Sequence, residues 1–97
     1  MKASEVKPGM RNLNLNLKVI NIGDINSFKN EKGEGRVATA ICEDDSGKVK
    51  VSLWNEEIDK VDKGDRIRIE SGYSRLFKDE VHISAGKYGE LKVLKDS

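Results

Sequence analysis

The chain has 97 residues, enough for one small domain with one core and too few for two. Charged residues make up 36% of it, yet 18 basic against 17 acidic side chains leave a net charge of +1; this excludes recognition driven by bulk positive charge and leaves local arrangement to carry any anion binding. A single cysteine (Cys42) and a single histidine (His82) exclude an internal disulfide and give too few soft ligands for a structural zinc, so neither cofactor nor metal is expected, and with no apolar run near the ~20 residues of a membrane span and no signal-peptide layout the expectation is a cytoplasmic protein without a membrane partner.

Residues 12–18 alternate polar and apolar, with Leu13, Leu15, Leu17 and then Val19 on one face and Asn14, Asn16 and Lys18 on the other, which predicts a strand with one dry side. After Val19 the phase breaks at Ile20 and Ile22, and a bulge is expected there. Residues 24–35 are polar apart from Ile25 and Phe28 and read as a long loop, with a hairpin-tip composition at 30–33. Residues 36–43 predict a second strand whose small residues, Ala38, Thr39 and Ala40, leave its inward face undefined. Asp44-Asp45-Ser46-Gly47 is a tight-turn sequence leading to the clearest strand, in which Val49, Val51 and Leu53 alternate with Lys48, Lys50, Ser52 and Trp54.

Asn55 is placed to cap a short helix with Glu56 and Glu57 in its first turn, Ile58 and Val61 at i, i+3 and Lys60 at its end. Residues 66–71 return to period two, with Ile67 and Ile69 inward, until Gly72 interrupts. Val81, Ile83 and Ala85 mark a further strand, and Leu91, Val93 and Leu94 a last apolar group. The order β-β-β-α-β-β predicts an all-β fold, a five-stranded Greek-key barrel of the oligonucleotide/oligosaccharide-binding (OB) type with one short helix between strands 3 and 4. The 23 Leu, Ile and Val residues suffice for one such core, and residues 1–97 are expected to form a single domain.

The five aromatics, Phe28, Trp54, Tyr73, Phe77 and Tyr88, mostly avoid the inward register, although burying a large apolar side chain contributes roughly 1.5–3 kcal/mol. Trp54 has the parity of Lys48, Lys50 and Ser52 and is expected to project outward; Tyr73 follows Gly72, and Phe77 precedes Lys78 beside a turn, so the three rings can share a surface. Exposed rings beside cations are what single-stranded nucleic acid requires, π faces for bases and positive charge for phosphates. The cations expected near them are Arg36, Lys48, Lys50, Arg75, Lys78 and Lys87. For Trp54 the alternative is a barrel-end residue packed under the following loop, and for Phe28 and Tyr88 structural packing explains the ring as well as stacking does. Lys48 and Lys50 on their own would be an ordinary solvated strand face.

Val6-Lys7-Pro8-Gly9-Met10-Arg11-Asn12-Leu13, Gly35-Arg36-Val37, Trp54-Asn55 and Gly72-Tyr73-Ser74-Arg75-Leu76-Phe77-Lys78 carry a family resemblance. Over about residues 4–94 the chain resembles archaeal replication protein A and the simple OB-fold single-stranded DNA-binding proteins. The resemblance implies a DNA-binding protein of replication, recombination and repair, nucleoid-associated, with stacking rings at Trp54, Tyr73 and Phe77 and a basic residue at Lys78. It also implies single-stranded DNA, and other replication proteins or OB subunits, as partners, and it allows this domain to be one of several in a longer chain. The sequence departs from the short form of the family at Ser84, where an aromatic is expected, and Tyr88 is the candidate replacement.

No enzyme is expected. Glu43-Asp44-Asp45 is explained by its turn, Cys42 by burial, and His82 by a groove-lining or surface role, since the sequence gives it no partner. The competing functions are an OB domain used as a protein-contact module, in which the same rings would anchor a partner, and RNA binding, because flat stacking does not read the 2′-hydroxyl.

Overall fold

Alternation makes the first strand, and burial confirms its face: in β1 (Leu13–Ile22) Leu13, Leu15, Leu17 and Val19 are buried while Asn14, Asn16 and Lys18 lie in water. The computed structural model describes residues 2–31, 33–85 and 89–94. It continues with β2 (Asn26–Asn30), β3 (Gly33–Asp44), β4 (Gly47–Trp54), α1 (Glu56–Lys60), β5 (Arg66–Phe77), β6 (Glu80–Ser84) and β7 (Glu90–Leu94). Among the described residues no helix is long and apolar enough to cross a membrane.

Five strands close on one another. The hydrogen-bonded path runs β1-β3-β4-β6-β5, and β5 returns to β1; every pairing in this ring is antiparallel except β4 with β6. This is the expected five-stranded OB barrel, with α1 between the third and fourth ring strands. The remaining two strands lie outside the ring: β2 extends β3 as a hairpin, and β7 pairs with β5. β1 can serve two partners because it bends; its register against β3 shifts between Val19 and Asn21, the bulge expected from the broken phase.

The core is aliphatic. Leu13, Leu15, Leu53, Ile67, Ile69 and Ile83 are its largest fully buried side chains. The open register of β3 resolves with Ala38, Ala40 and Cys42 inward, and α1 and the residue after it add Ile58 and Val61 to the same cluster. Burial pushes the Cys42 thiol up to about 12, so it packs as a small hydrophobe.

Four expectations are corrected. Residues 24–35 are not a long loop: Asn26–Asn30 pairs with residues 33–37, and β3 begins at Gly33 rather than at 36. A hairpin exposed on both faces is held by its ladder, so it leaves little apolar alternation to read. Gly72 does not end its strand, because β5 runs on to Phe77. Instead Ser71 takes a positive φ of 53° and Gly72 lies buried opposite Leu13, where a Cβ would stand 2.6 Å from Ile69 Cγ2 and 3.0 Å from the Ser84 carbonyl oxygen. The glycine thus bends the strand without breaking it. The final apolar group forms a paired strand, β7, beyond the five expected. Lastly, Asn55 does not cap α1 through its side chain; its Oδ1 accepts from the Arg36 amide at 3.0 Å and its own amide donates to the Arg36 carbonyl at 2.9 Å.

The N-terminal segment is tied down by polar contacts. Ala3 is buried, and its amide donates to Asp44 Oδ2 at 2.7 Å. Burial pushes the Asp44 carboxyl up, but hydrogen bonds from the Ser46 hydroxyl and from the amides of Ala3, Ser46 and Gly47 outweigh it and hold the carboxyl at about 2.

Candidate nucleic-acid interface

The outward face of β4 carries Lys48, Lys50, Ser52 and Trp54, while Val51 and Leu53 are buried behind it. Antiparallel register sets Val37 opposite Trp54 and Thr39 opposite Ser52 on β3. On the other side of β4 the parallel partner places His82 beside Lys50, and β5 then sets Arg75 beside His82 and Phe77 beside Glu80. Residues directly opposite share a face, so these four strands build one surface from positions far apart in the chain. It is hollowed into a groove of about 390 Å³ lined by Asn26, Val37, Thr39, Ser52, Trp54, Arg75, Phe77, Lys78 and His82.

Each ring is held by its neighbours. Trp54 is 36% exposed; its amide donates to Glu57 Oε1 at 3.0 Å, and the paired amides of Asn55 and Arg36 fasten the strand end that carries it. Phe28 meets the indole edge-to-face, with centroids 5.8 Å apart at 78°. Phe28 itself lies over Gly35, its register partner, so closely that a Cβ there would fall 2.3 Å from the ring. Phe28 thus packs against both Trp54 and Gly35. Phe77 is 48% exposed, with Lys78 Nζ 5.4 Å from its ring centroid and the His82 imidazole edge-to-face at 5.4 Å. Lys78 and Asp79 form the turn with positive φ of 50° and 64°.

His82 differs most from its sequence reading, because it does have partners. It is 6% exposed, its Nδ1 stands 3.5 Å from Ser52 Oγ and its Nε2 stands 3.8 Å from Glu80 Oε2. Desolvation, with Lys50 and Arg75 adding, holds its pKa below the usual histidine value against the opposing pull of Glu80, so the ring is neutral at pH 7. Among the described residues no cluster of three His, Cys, Asp or Glu is placed to hold a metal ion.

The expected basic residues divide into two groups. Arg36 is engaged by Asp59 at 2.9 Å and Lys50 by Glu80, so both are compensated in the free chain. Arg75, Lys78 and Lys48 have no carboxylate within ion-pair distance among the described residues, and the first two line the groove. Lys48 and Lys50 line a separate depression with Ile41, Glu80 and Val81. Tyr73 has the outward parity of Arg75 and Phe77 but lies four residues, about 13 Å, from Phe77 along β5; it lines a neighbouring hollow with Gly9, Met10 and Arg11. Its register partner is Ser84, buried with no hydrogen-bond partner for its Oγ among the described residues. Lys87 and Tyr88 lie outside the described residues. Sequence reasoning missed Asn26, Val37, Thr39 and Ser52 as groove residues; only Ser52 carried a usable signal, its parity with Trp54.

Comparison with known proteins agrees with this architecture. Residues 6–93 match the family described as single-stranded DNA binding protein Ssb-like, OB fold. The chain is 27% identical over 85 residues to the single-stranded DNA binding protein Ssb of Saccharolobus solfataricus, covering 88% of this chain and 57% of that protein. It is 35% identical over 71 residues to replication factor A of Methanothermobacter thermautotrophicus, covering 72% of this chain and 9% of that protein. The chain thus spans little more than half of the first relative and a small part of the second. The solution structure of the second OB-fold domain of replication protein A from Methanococcus maripaludis superposes with a TM-score of 0.77 at 27% identity, covering 100% of this chain and 96% of that one. With its family match over nearly the whole length and its closed five-stranded ring, this chain belongs to the Ssb-like OB-fold family of single-stranded DNA-binding proteins.

Proposed function

We propose that the chain binds single-stranded DNA along the β3-β4-β6-β5 face, stacking bases on Trp54 and Phe77 and meeting phosphates with Arg75 and Lys78. The observation that carries this reading is the pair of exposed rings, Trp54 and Phe77, lining one groove together with Arg75 and Lys78. Exposed rings reduce solubility unless they serve a ligand. Each stacked base is worth roughly 1–3 kcal/mol, so two such platforms give useful affinity without a net positive chain. The polar floor of Ser52, Thr39 and the neutral His82 lets base edges find hydrogen-bond partners once stacked. Tyr73 extends the same face toward a further nucleotide, and Lys48 continues the basic edge beyond Lys50.

The role is that of a binder and not of an enzyme: it protects single strands during replication, recombination and repair, alongside the nucleoid. Residues 1–97 act as one OB unit, working beside other OB units or replication proteins.

Trp54 is the only tryptophan, so its emission reports directly on the groove. Oligothymidine is expected to quench it, duplex DNA to do so far less, and log affinity to fall with log salt by about 0.7 for each phosphate contacted. An RNA strand of equal length tests whether the 2′-hydroxyl matters. Unchanged emission at micromolar oligothymidine would overturn the proposal and leave the groove as a protein-contact surface.

A further inference from the structure

Beside the groove, in the adjoining depression that Lys48 and Lys50 line, stands an anion. Glu80 Oε2 accepts a hydrogen bond from Lys50 Nζ and also lies 3.8 Å from His82 Nε2, so one carboxylate oxygen is shared by an ammonium and an imidazole from neighbouring strands. Arg75, the register partner of His82 on β5, adds a third basic group to the site. An oxygen placed between an ammonium and a ring nitrogen, with a guanidinium on the next strand, is in the environment that suits a phosphate oxygen. The same place adjoins a stacking ring, since Phe77 pairs with Glu80 in register and its ring touches His82.

We propose that Lys50 and His82 form a phosphate subsite of the interface, that the Glu80 carboxylate occupies it in the free chain, and that single-stranded DNA binds by displacing Glu80. This rests on the function proposed above. Glu80 is suited to leaving: its side chain is 51% exposed, and it directly follows the Lys78–Asp79 turn, so it can swing into water. His82 cannot leave, because its side chain is only 8% exposed and its Nδ1 faces Ser52. The groups facing His82 are Lys50 from β4, Arg75 from β5 and Glu80 from its own strand; the first two disfavour the imidazolium and the third favours it. A DNA phosphate set against Nε2 favours the protonated ring, so binding takes up a proton and tightens as pH falls from 8 to 6. The carboxylate also gives the groove selectivity, since a ligand must carry an anion beside its stacked base in order to compete.

The test is a double-mutant cycle read by Trp54 quenching with oligothymidine, together with the His82 ring resonances on addition of inorganic pyrophosphate. Glu80→Gln keeps the shape and removes the competing charge, and is expected to tighten oligothymidine binding by about two- to fivefold, the range of an exposed ion pair. In a Lys50→Gln background the same change is expected to give no gain, because the contact it relieves is already absent. Pyrophosphate should shift the His82 resonances in Glu80→Gln at lower concentration than in the unaltered chain. Equal or weaker binding by Glu80→Gln, or a gain that persists with Lys50→Gln, would overturn the displacement. If neither chain binds oligothymidine, the proposed function falls, and the pyrophosphate titration alone decides the subsite.

Discussion

The two faces of β4 solve different problems with alternate residues of one eight-residue strand. Val51 and Leu53 point into a core of Leu, Ile, Val, Ala and Cys in which, among the described residues, no aromatic ring and no charge takes part. Ser52 and Trp54 point into the groove and Lys50 into the depression beside it, where rings, hydroxyls and ions meet. The core is stable because its members are interchangeable in kind, each contributing by area removed from water. The groove depends on particular groups at particular distances, with Arg75 and Lys78 lining it and the carboxylate-engaged Lys50 beside it. Adjacent substitutions on β4 should therefore fail in different ways.

The largest separation is expected for Leu53→Ala, which removes a fully buried side chain and should cost about 2–5 kcal/mol in denaturant unfolding, while the folded fraction keeps its affinity for oligothymidine. Its neighbour Trp54→Ala should do the reverse: binding measured by electrophoretic mobility weakens by about 1–3 kcal/mol, and the unfolding midpoint barely moves. If Trp54→Ala melts the domain, the indole belongs to the core and the division between faces fails. Phe28→Ala tests the packing of Phe28 against Trp54; loss of the edge-to-face pair should weaken binding by about 0.5–1.5 kcal/mol through a looser Trp54, visible as higher mobility in its fluorescence anisotropy. The smallest effect concerns pH. His82 has a lowered folded pKa, so the unfolded chain takes up a proton first as pH falls through its ordinary value near 6.5. Stability is then full above that value and declines as pH falls below it, and the decline should vanish in His82→Gln.

Legibility followed the same division. Period-two patterning identified the buried faces of β1, β4 and β5 because a dry side repeats every second residue whatever its partner. Where burial is absent the pattern is silent, and so the β2 hairpin, held by backbone pairing with Phe28 folded over Gly35, read as a loop. Gly72 suggested an end where the chain only bends, since a glycine signals freedom without saying how the strand uses it. In the site, Trp54 and Phe77 were found from parity and neighbouring charge. Val37 and Thr39 were not, because only register with β4 brings them there.

Taken alone, then, the sequence determined the order of the five ring strands, the aliphatic core and the outward indole, since these depend on local periodicity and on the cost of leaving apolar area in water. Tertiary structure decided what stands beside what. The parallel meeting of β4 with β6 carries His82 and Glu80 to Lys50 across 30 residues of chain, turning an expected free cation into half of an ion pair and a partnerless histidine into the floor of a groove. The physical reason is that electrostatics and stacking act over a few ångströms of space, and sequence separation carries no information about such distances until the barrel closes.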